Sequence, residues 1–376
     1  MIFFYCSLII SLTTISLTIY LLLGFKRIRS VSEQPIIEDM PSLAIIIAVR
    51  NEEEDLANAL QSVCNINYSN CRIMVVNDRS TDRTAAILQD FKMSYPQITV
   101  TTVTTLPDGW LGKNNALYQG YLSSTEEWML FTDADIVFHP DALSRAVSYA
   151  VVNKLDHLAI LPKVVSRSAI LNSVLATFTI MLMMHLRPWD AKKAKSKAYI
   201  GIGAFNLVRR DAYERAGTHA LIKLRPDDDL QLGFKIKSTG LRQDVLIGNE
   251  YVSLEWYKNL GQLGNGLLKN SFAVANYKTG ESIVNTILIL ISIALPMPLM
   301  FIFGSTGIRL MACAMLLTHI VYMVVIPPNK WWYAFVIPFA GFFMAWTTFR
   351  ATYITLKQGG IYWRDSFYPL AMLKGK

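Results

Sequence analysis

Apolar and polar residues alternate along this chain on different length scales, and each scale predicts a different kind of element. Residues 2–25 (IFFYCSLIISLTTISLTIYLLLGF) carry no charge, a run long enough to cross the ~30 Å hydrocarbon core of a bilayer. Within residues 281–350, the segments SIVNTILILISIALPMPLMFIF, IRLMACAMLLTHIVYMVVI and WWYAFVIPFAGFFMAWTTF predict further transmembrane helices, the third interrupted by Pro338. Between the two ends the apolar runs shorten. SLAIIIAV, RIMVVN, ITVTTV and WMLFT are brief and rich in β-branched or aromatic residues, as strands buried in a parallel sheet are. A helical pattern follows each: from Glu52 to about Val63, over STDRTAAILQDF with Ser80 or Thr81 as N-cap, over KNNALYQGYLSS, and from about Asp141. Strand–helix alternation at this spacing predicts an α/β domain over residues 41–275, a parallel sheet with helices on both faces. One further apolar helix, about residues 168–187, ends at Arg187-Pro188 and precedes a lysine-rich run; it reads as an interfacial helix, with a buried helix of the domain as the alternative.

Composition sharpens this picture. The chain is 52% hydrophobic and 17% charged, with a mean hydropathy of +0.32, too apolar for an ordinary soluble domain. The first apolar run is closed by KRIR, Lys26 to Arg29, and the positive-inside rule then places the following domain in the cytoplasm of a multi-pass cell-membrane protein. A cleaved signal peptide is disfavoured, because the positive residues follow the apolar run and no small-residue cleavage site is evident. Three later spans would leave the basic tail, residues 351–376 with Lys357, Arg364, Lys374 and Lys376, on the outside. Either the third segment is re-entrant or the tail departs from the rule. The net charge of +8 gathers near predicted membrane edges, most densely in DAKKAKSKAY, which suits anionic headgroups at least as well as a nucleic-acid partner, with a merely solvated loop as the default; no nucleic-acid partner is expected. Four cysteines without CxxC spacing imply reduced thiols.

In an open parallel sheet, ligands bind beyond the carboxyl ends of the strands. Here those positions hold RNEE, NDRSTD and DADIVFHPD, so Glu52, Asp78, Asp133 and Asp135 are expected on one edge. Neither GxGxxG nor GxxxxGK[ST] occurs, which disfavours a dinucleotide-dependent dehydrogenase or a P-loop ATPase. Asp133 and Asp135, one residue apart after a buried strand, suit Mg²⁺ or Mn²⁺ bridging to nucleotide phosphates; the bland alternative is a capping and a surface aspartate. Asp78 suits the edge of a nucleobase, and Asp82 a turn. Lys113, at a helix start beside Gly109, Trp110 and Gly112, suits a phosphate. In RPDDDLQLG, Pro226 and acidic residues suit the first turn of a helix, yet that role does not require three aspartates. One of them is a candidate general base.

The motifs AVRNEE, VVNDRSTDRT, GWLGKNNA, FTDADIVFHPDAL, GIGAFNLVRRDAYERAG and DDDLQLGFKIKSTGLR occur in an order that resembles the membrane-bound, inverting glycosyltransferases of family 2. The resemblance implies a GT-A fold, a Rossmann-like, mostly parallel sheet flanked by transmembrane helices. It implies that Ala48, Arg50, Glu52 and Asp78 line the nucleobase pocket, that Lys113 and Asp228 lie at the donor, and that Asp133 and Asp135 form the metal and diphosphate site. Asp229 becomes the catalytic base and Asp227 a helix-start residue. The implied partners are a UDP- or GDP-sugar and, from WYKNLGQLGNGLLKN and GGIYWRDSFYPL, a membrane-lipid acceptor, as in carotenoid, hopanoid-associated and ceramide glycosyltransferases. Gln262 lacks the Arg-Trp that completes Q-x-x-R-W in processive relatives, which argues against polymer synthesis. His219 stands where relatives often have a histidine after two glycines, either on the acceptor side or packed in a loop. Polysaccharide or polyprenyl-phosphate transfer, and a non-catalytic sugar-nucleotide-binding protein, are the alternatives.

Overall fold

The computed structural model describes residues 1–326, 329–363 and 366–374; Arg364 and Lys376 of the basic tail lie outside the described residues. The chain divides into two compact units. One comprises residues 28–165 and 187–255; the other comprises residues 1–27, 166–186 and 256–376. The expected interfacial helix and the stretch after residue 255 thus group with the apolar helices.

The first unit is a sheet domain. Its strands are β1 (Arg29–Ser30), β2 (Leu43–Val49), β3 (Cys71–Asp78), β4 (Ile98–Val103), β5 (Trp128–Thr132), β6 (Val137–Phe138), β7 (His157–Val164), β8 (Asn206–Arg209) and β9 (Gln243–Leu254). The order across the sheet is β1-β9-β7-β8-β5-β2-β3-β4, with β6 also paired to β9. β2, β3, β4 and β5 are mutually parallel, as their short apolar runs predict. The surprise is β8, which pairs antiparallel with both β5 and β7. Five residues of β2, Leu43 to Ile47, are buried, since both faces of the sheet are covered.

The helices of the other unit and of the sheet domain share one numbering along the chain. α1 is Ile2–Phe25; α2 (Leu56–Cys64), α3 (Thr84–Ser94), α4 (Gly112–Leu122) and α5 (Ala142–Val152) belong to the sheet domain. α2 buries Leu56, Ala59, Leu60 and Val63, the one-sided spacing of an amphipathic helix. Two starts differ from expectation. α2 begins at Leu56 and not at Glu52, and α3 at Thr84, with Arg83 and not Ser80 or Thr81 as N-cap. The residues before each helix are spent on bracing one loop against the other. Asn51 N–H donates to Ser80 Oγ (3.1 Å) and Thr81 N–H to Asn51 Oδ1 (2.8 Å). Glu52 N–H donates to Thr84 Oγ1 (2.9 Å) and Glu53 N–H to Asp82 Oδ2 (3.2 Å). Asp82 also accepts the Thr84 N–H (3.0 Å), a turn role as expected.

α6 is Ala169–Leu186; α7 (Arg210–Arg215) and α8 (Asp228–Ser238) return to the sheet domain. α9 (Leu260–Gly266), α10 (Leu268–Val274), α11 (Thr279–Ile289), α12 (Pro296–Phe303), α13 (Thr306–Val325), α14 (Ile337–Gln358), the antiparallel pair β10 (Gly360–Trp363) and β11 (Ser366–Pro369), and α15 (Leu370–Leu373) complete the apolar unit. Among the described residues, four helices are long and apolar enough to cross a membrane: 2–25, 169–190, 306–325 and 331–358. The pair 279–294 and 296–303, bent by 47°, makes a fifth candidate. Pro338 does not interrupt its segment. It sits in the first turn of α14, after a 3₁₀ stretch at Trp331–Val336, where a missing N–H costs nothing.

Candidate active site

The site assembles at the carboxyl ends of β2, β3 and β5. Asp78 is the last residue of β3 and is buried. Arg79 folds back onto it with two hydrogen bonds, Nε to Oδ1 (2.7 Å) and Nη2 to Oδ2 (3.0 Å). Arg79 adopts φ +54° to do so, a left-handed conformation uncommon outside glycine. Arg50, one residue past β2, places Nη1 3.7 Å from Asp78 Oδ2. Ala48 is half-buried and packs with Val76, Val103 and Ala116. Arg50 and Asp78 are thus neighbours, as the motif order implied.

The first turn of α4 joins this corner to the acidic one. A Cβ on Gly112 would lie 2.1 Å from Asp78 Oδ2, so only glycine admits the contact. The next residue, Lys113, reaches the other way, its Nζ 2.8 Å from Asp133 Oδ1 and 3.3 Å from Asp228 Oδ1. Burial alone would lower the Lys113 pKa, but Asp133, Asp228 and Asp229 together hold the ammonium above its usual range. Asn114 anchors this turn, its Nδ2 donating to the carbonyls of Ile222 and Arg225 (2.9 Å each).

The three aspartates of the RPDDDLQLG stretch have three different fates. Asp227 is the N-cap residue of α8; its carboxylate takes two bonds from Arg225 and one from Gln231 (2.8 Å each). Asp228 is buried and faces Lys113, with His219 Nε2 at 4.0 Å. Asp229 is half-buried; its Oδ1 accepts the Leu230 N–H (2.8 Å) and its Oδ2 the Gly203 N–H (2.7 Å). Burial, and next the charge of Asp228, push the Asp229 pKa up to about 7. His219 is a packed histidine, its Nδ1 2.6 Å from the Tyr213 hydroxyl. Burial, with Lys113 in support, pushes its pKa down to about 3, so it is neutral.

A loop that sequence reasoning quoted only as a family motif holds the acidic corner together. Antiparallel β8 lies beside β5, so the residues before β8 meet those after β5. Gly203 carbonyl accepts the Asp133 N–H (3.1 Å) while its own N–H serves Asp229. A Cβ there would come within 2.6 Å of Asp133 Oδ2. At Gly201 a Cβ would meet the Asp229 carbonyl at 1.8 Å, and at Gly233 the Ile200 carbonyl at 1.9 Å. The repeated glycine in GIG was the available signal: two glycines one residue apart mark a close backbone approach.

Asp133 and Asp135 are both partly exposed just past β5. Burial, then Asp133 and Glu52, push the Asp135 pKa up to about 7. Among the described residues, no group of three or more His, Cys, Asp or Glu side chains is arranged to hold a metal ion. The donor set nonetheless fits a hard cation. Two partly exposed carboxylates suffice for Mg²⁺ or Mn²⁺, which takes its other ligands from water and phosphate, and a cation there would relieve the repulsion that raises Asp135. Glu52 lies on this side of the edge, in electrostatic contact with Asp135.

Residues 44–217 match the sequence profile of Glycosyl transferase family 2. The chain is 25% identical over 236 residues to the 4,4'-diaponeurosporenoate glycosyltransferase of Staphylococcus aureus (strain bovine RF122 / ET3-1), covering 62% of this chain and 61% of that one. It is 32% identical over 111 residues to the beta-monoglucosyldiacylglycerol synthase of a Synechocystis species, covering 29% of this chain and 23% of that one. The chain thus spans less than two thirds of these curated relatives. A solved mannosyltransferase from Pyrobaculum calidifontis, in complex with GDP-Man and Mn²⁺, superposes with a TM-score of 0.59 at 15% identity over 93% of this chain and 97% of that one. The strand order, the carboxylate edge and these likenesses agree: residues 44–217 are similar to glycosyl transferase family 2, and the chain shares the GT-A fold of the solved mannosyltransferase.

Proposed function

We propose that this chain is an inverting, non-processive glycosyltransferase that moves a sugar from a UDP- or GDP-linked donor to a hydroxyl of a membrane lipid. The observation that supports the reading most is the link from Asp133 through Gly203 to Asp229, which joins these two residues through one glycine. In this reading Asp78, flanked by Arg50, reads the nucleobase, Ala48 lines its pocket and Glu52 adds charge to the same edge. Asp133 and Asp135 hold Mg²⁺ or Mn²⁺, which when bound neutralises charge on the leaving diphosphate. Lys113 exchanges a carboxylate partner for a donor phosphate, and Asp228 keeps its ammonium aimed at the site. Asp229 takes the proton of the acceptor hydroxyl. The acceptor oxygen bonds to the anomeric carbon as the bond to the diphosphate oxygen breaks, inverting the configuration.

The acceptor assignment draws on two relatives named for acting on a carotenoid acid and for making a glycolipid. The non-processive assignment draws on Gln262, whose side chain accepts the Lys258 N–H (2.8 Å) at the start of α9. The helix α6 supports the membrane setting: it is apolar enough to meet a bilayer and it groups with the apolar helices. In this reading α6 lies along the membrane interface, and the protein is a multi-pass cell-membrane protein with its transferase residues in the cytoplasm.

The test is direct. Purified full chain is incubated with labelled UDP- or GDP-sugars, Mn²⁺ and total membrane lipid. A labelled product in the organic phase is expected. A long insoluble polymer would instead indicate a polysaccharide synthase, and donor binding without turnover a non-catalytic binder.

A further inference from the structure

Several contacts within the apolar unit fix where its C-terminal end lies. Ser282 Oγ, near the start of α11, is 2.6 Å from Thr352 Oγ1, near the end of α14. At the other end of the same pair, a Cβ on Gly341 would meet the Ala294 backbone at 3.0–3.1 Å. The two helices are therefore antiparallel, and the end of α14 returns to the level at which α11 begins. Arg350 Nη1 donates to Asn265 Oδ1 on α9 (3.0 Å), and Lys269 Nζ on α10 lies 4.2 Å from the centre of the Trp363 ring in β10. Gly359, at φ +70°, is the single residue between α14 and β10, and it turns the chain at once.

The β10–β11 pair has two unlike faces. Ile361 and Tyr368 oppose each other and are 5% and 6% exposed. Tyr362 and Phe367 also oppose each other, ring centres 5.0 Å apart, but are 65% and 41% exposed. An aromatic pair is thus displayed immediately after an apolar helix whose last turn carries Lys357, while Lys269 lies against the neighbouring Trp363. Aromatic rings with neighbouring lysines at a helix end suit the headgroup layer of a bilayer, where rings sit at the boundary and ammonium groups meet lipid phosphate.

We propose that β10 and β11 form a membrane-interface element that docks, through Tyr362 and Phe367, on anionic phospholipid headgroups of the leaflet from which the chain enters the membrane at Thr279. This rests on the membrane setting above but not on the sugar-transfer chemistry. Its consequence is topological. The chain leaves and regains one face between Thr279 and Gln358, so it crosses an even number of times, and one of the segments 279–303, 306–325 and 331–358 dips in without crossing. The basic tail then lies on the face where positive charge belongs, which removes the conflict that three full spans create.

The experiment uses the full chain in sealed membrane vesicles of both orientations. Lys278→Cys and Lys374→Cys are treated singly with a membrane-impermeant maleimide, and modified peptides are identified by mass so that the four natural cysteines do not interfere. Modification of both sites from the same side is expected; modification from opposite sides would overturn the proposal. Nitroxide labels on Tyr362→Cys and, separately, Phe367→Cys are then read in phosphatidylglycerol–phosphatidylethanolamine vesicles. Both should collide more with oxygen than with an aqueous nickel chelate. Water-like exposure at both sites, or spin–spin broadening from a second copy of the chain, would overturn it. Neither readout needs transferase activity, so it stands or falls apart from the proposed reaction.

Discussion

The sheet domain and the apolar unit bury opposite things. In β2, Leu43 to Ile47 lie inside, and Asp78, Asp133 and Asp135 stand at the carboxyl ends of β3 and β5. In α1 the order is reversed: Ser7, Ser11, Thr18 and Gly24 are among its buried residues, while Ile2, Ile9, Leu12, Leu17 and Leu23 are exposed. The hydrophobic effect drives the first arrangement. In the membrane setting proposed above it has no purchase on the second, where the surrounding phase would itself be apolar and small residues allow helices to approach closely. One chain thus obeys two solvents. Close-packed glycines occur in both, against carboxylates in the first region, as at Gly112 and Gly203, and against helix backbone in the second, as at Gly341.

The contrast can be tested in order of effect size. Asp229→Asn should lower kcat by about 10³-fold, within the range for loss of a general base, while nucleotide affinity by calorimetry stays near its original value. Full turnover in that variant would remove Asp229 from the role of base. Chelation of divalent metal should abolish turnover, and added Mn²⁺ should restore it, without moving the melting temperature of the apolar unit. Gly203→Ala, which pushes a methyl into Asp133, should cost about 10²-fold in kcat through misplacement of the site. The matching change in the apolar unit, Gly280→Ala, meets nothing within 4 Å and should be neutral or stabilise thermally by about 0.4–1 kcal/mol.

The pH dependence comes next. Asp229 must be ionised to accept a proton and its pKa is raised to about 7, so kcat/KM should fall about tenfold per unit below pH 7 and level off above it. Stability runs the other way. Asp135 and Asp229 bind protons more tightly in the folded chain than unfolded, so their contribution declines as pH rises from about 4 to about 7. The smallest effect should be Ser11→Ala: its Oγ is buried without a hydrogen-bond partner among the described residues, so the melting temperature in detergent should move by no more than about 0.6 kcal/mol would produce.

Much of the site was legible in one dimension because position after an apolar run is a local property. Asp78, Asp133 and Lys113 each follow directly from strand or helix ends, and the structure brings Lys113 and Asp133 within 2.8 Å. The helix starts were less legible. Ser80 and Thr81 have the chemistry of N-caps, but Asn51, thirty or so residues away in sequence, engages the Ser80 hydroxyl and the Thr81 backbone N–H. The antiparallel β8 was not legible at all, because nothing in NLVR distinguishes direction.

By itself, then, the amino-acid order determined that β2 to β5 are strands, which helices seek an apolar phase, and which acidic residues follow those strands, since each depends on side chains a few positions apart. Tertiary structure alone decided that Asp227, Asp228 and Asp229 serve three different partners, that Gly203 bridges Asp133 to Asp229, and that the end of α14 returns to the level of α11. Apart from Asp227, whose partners Arg225 and Gln231 are local, those outcomes depend on groups from remote segments meeting at close range, and no local pattern encodes which remote segment will arrive.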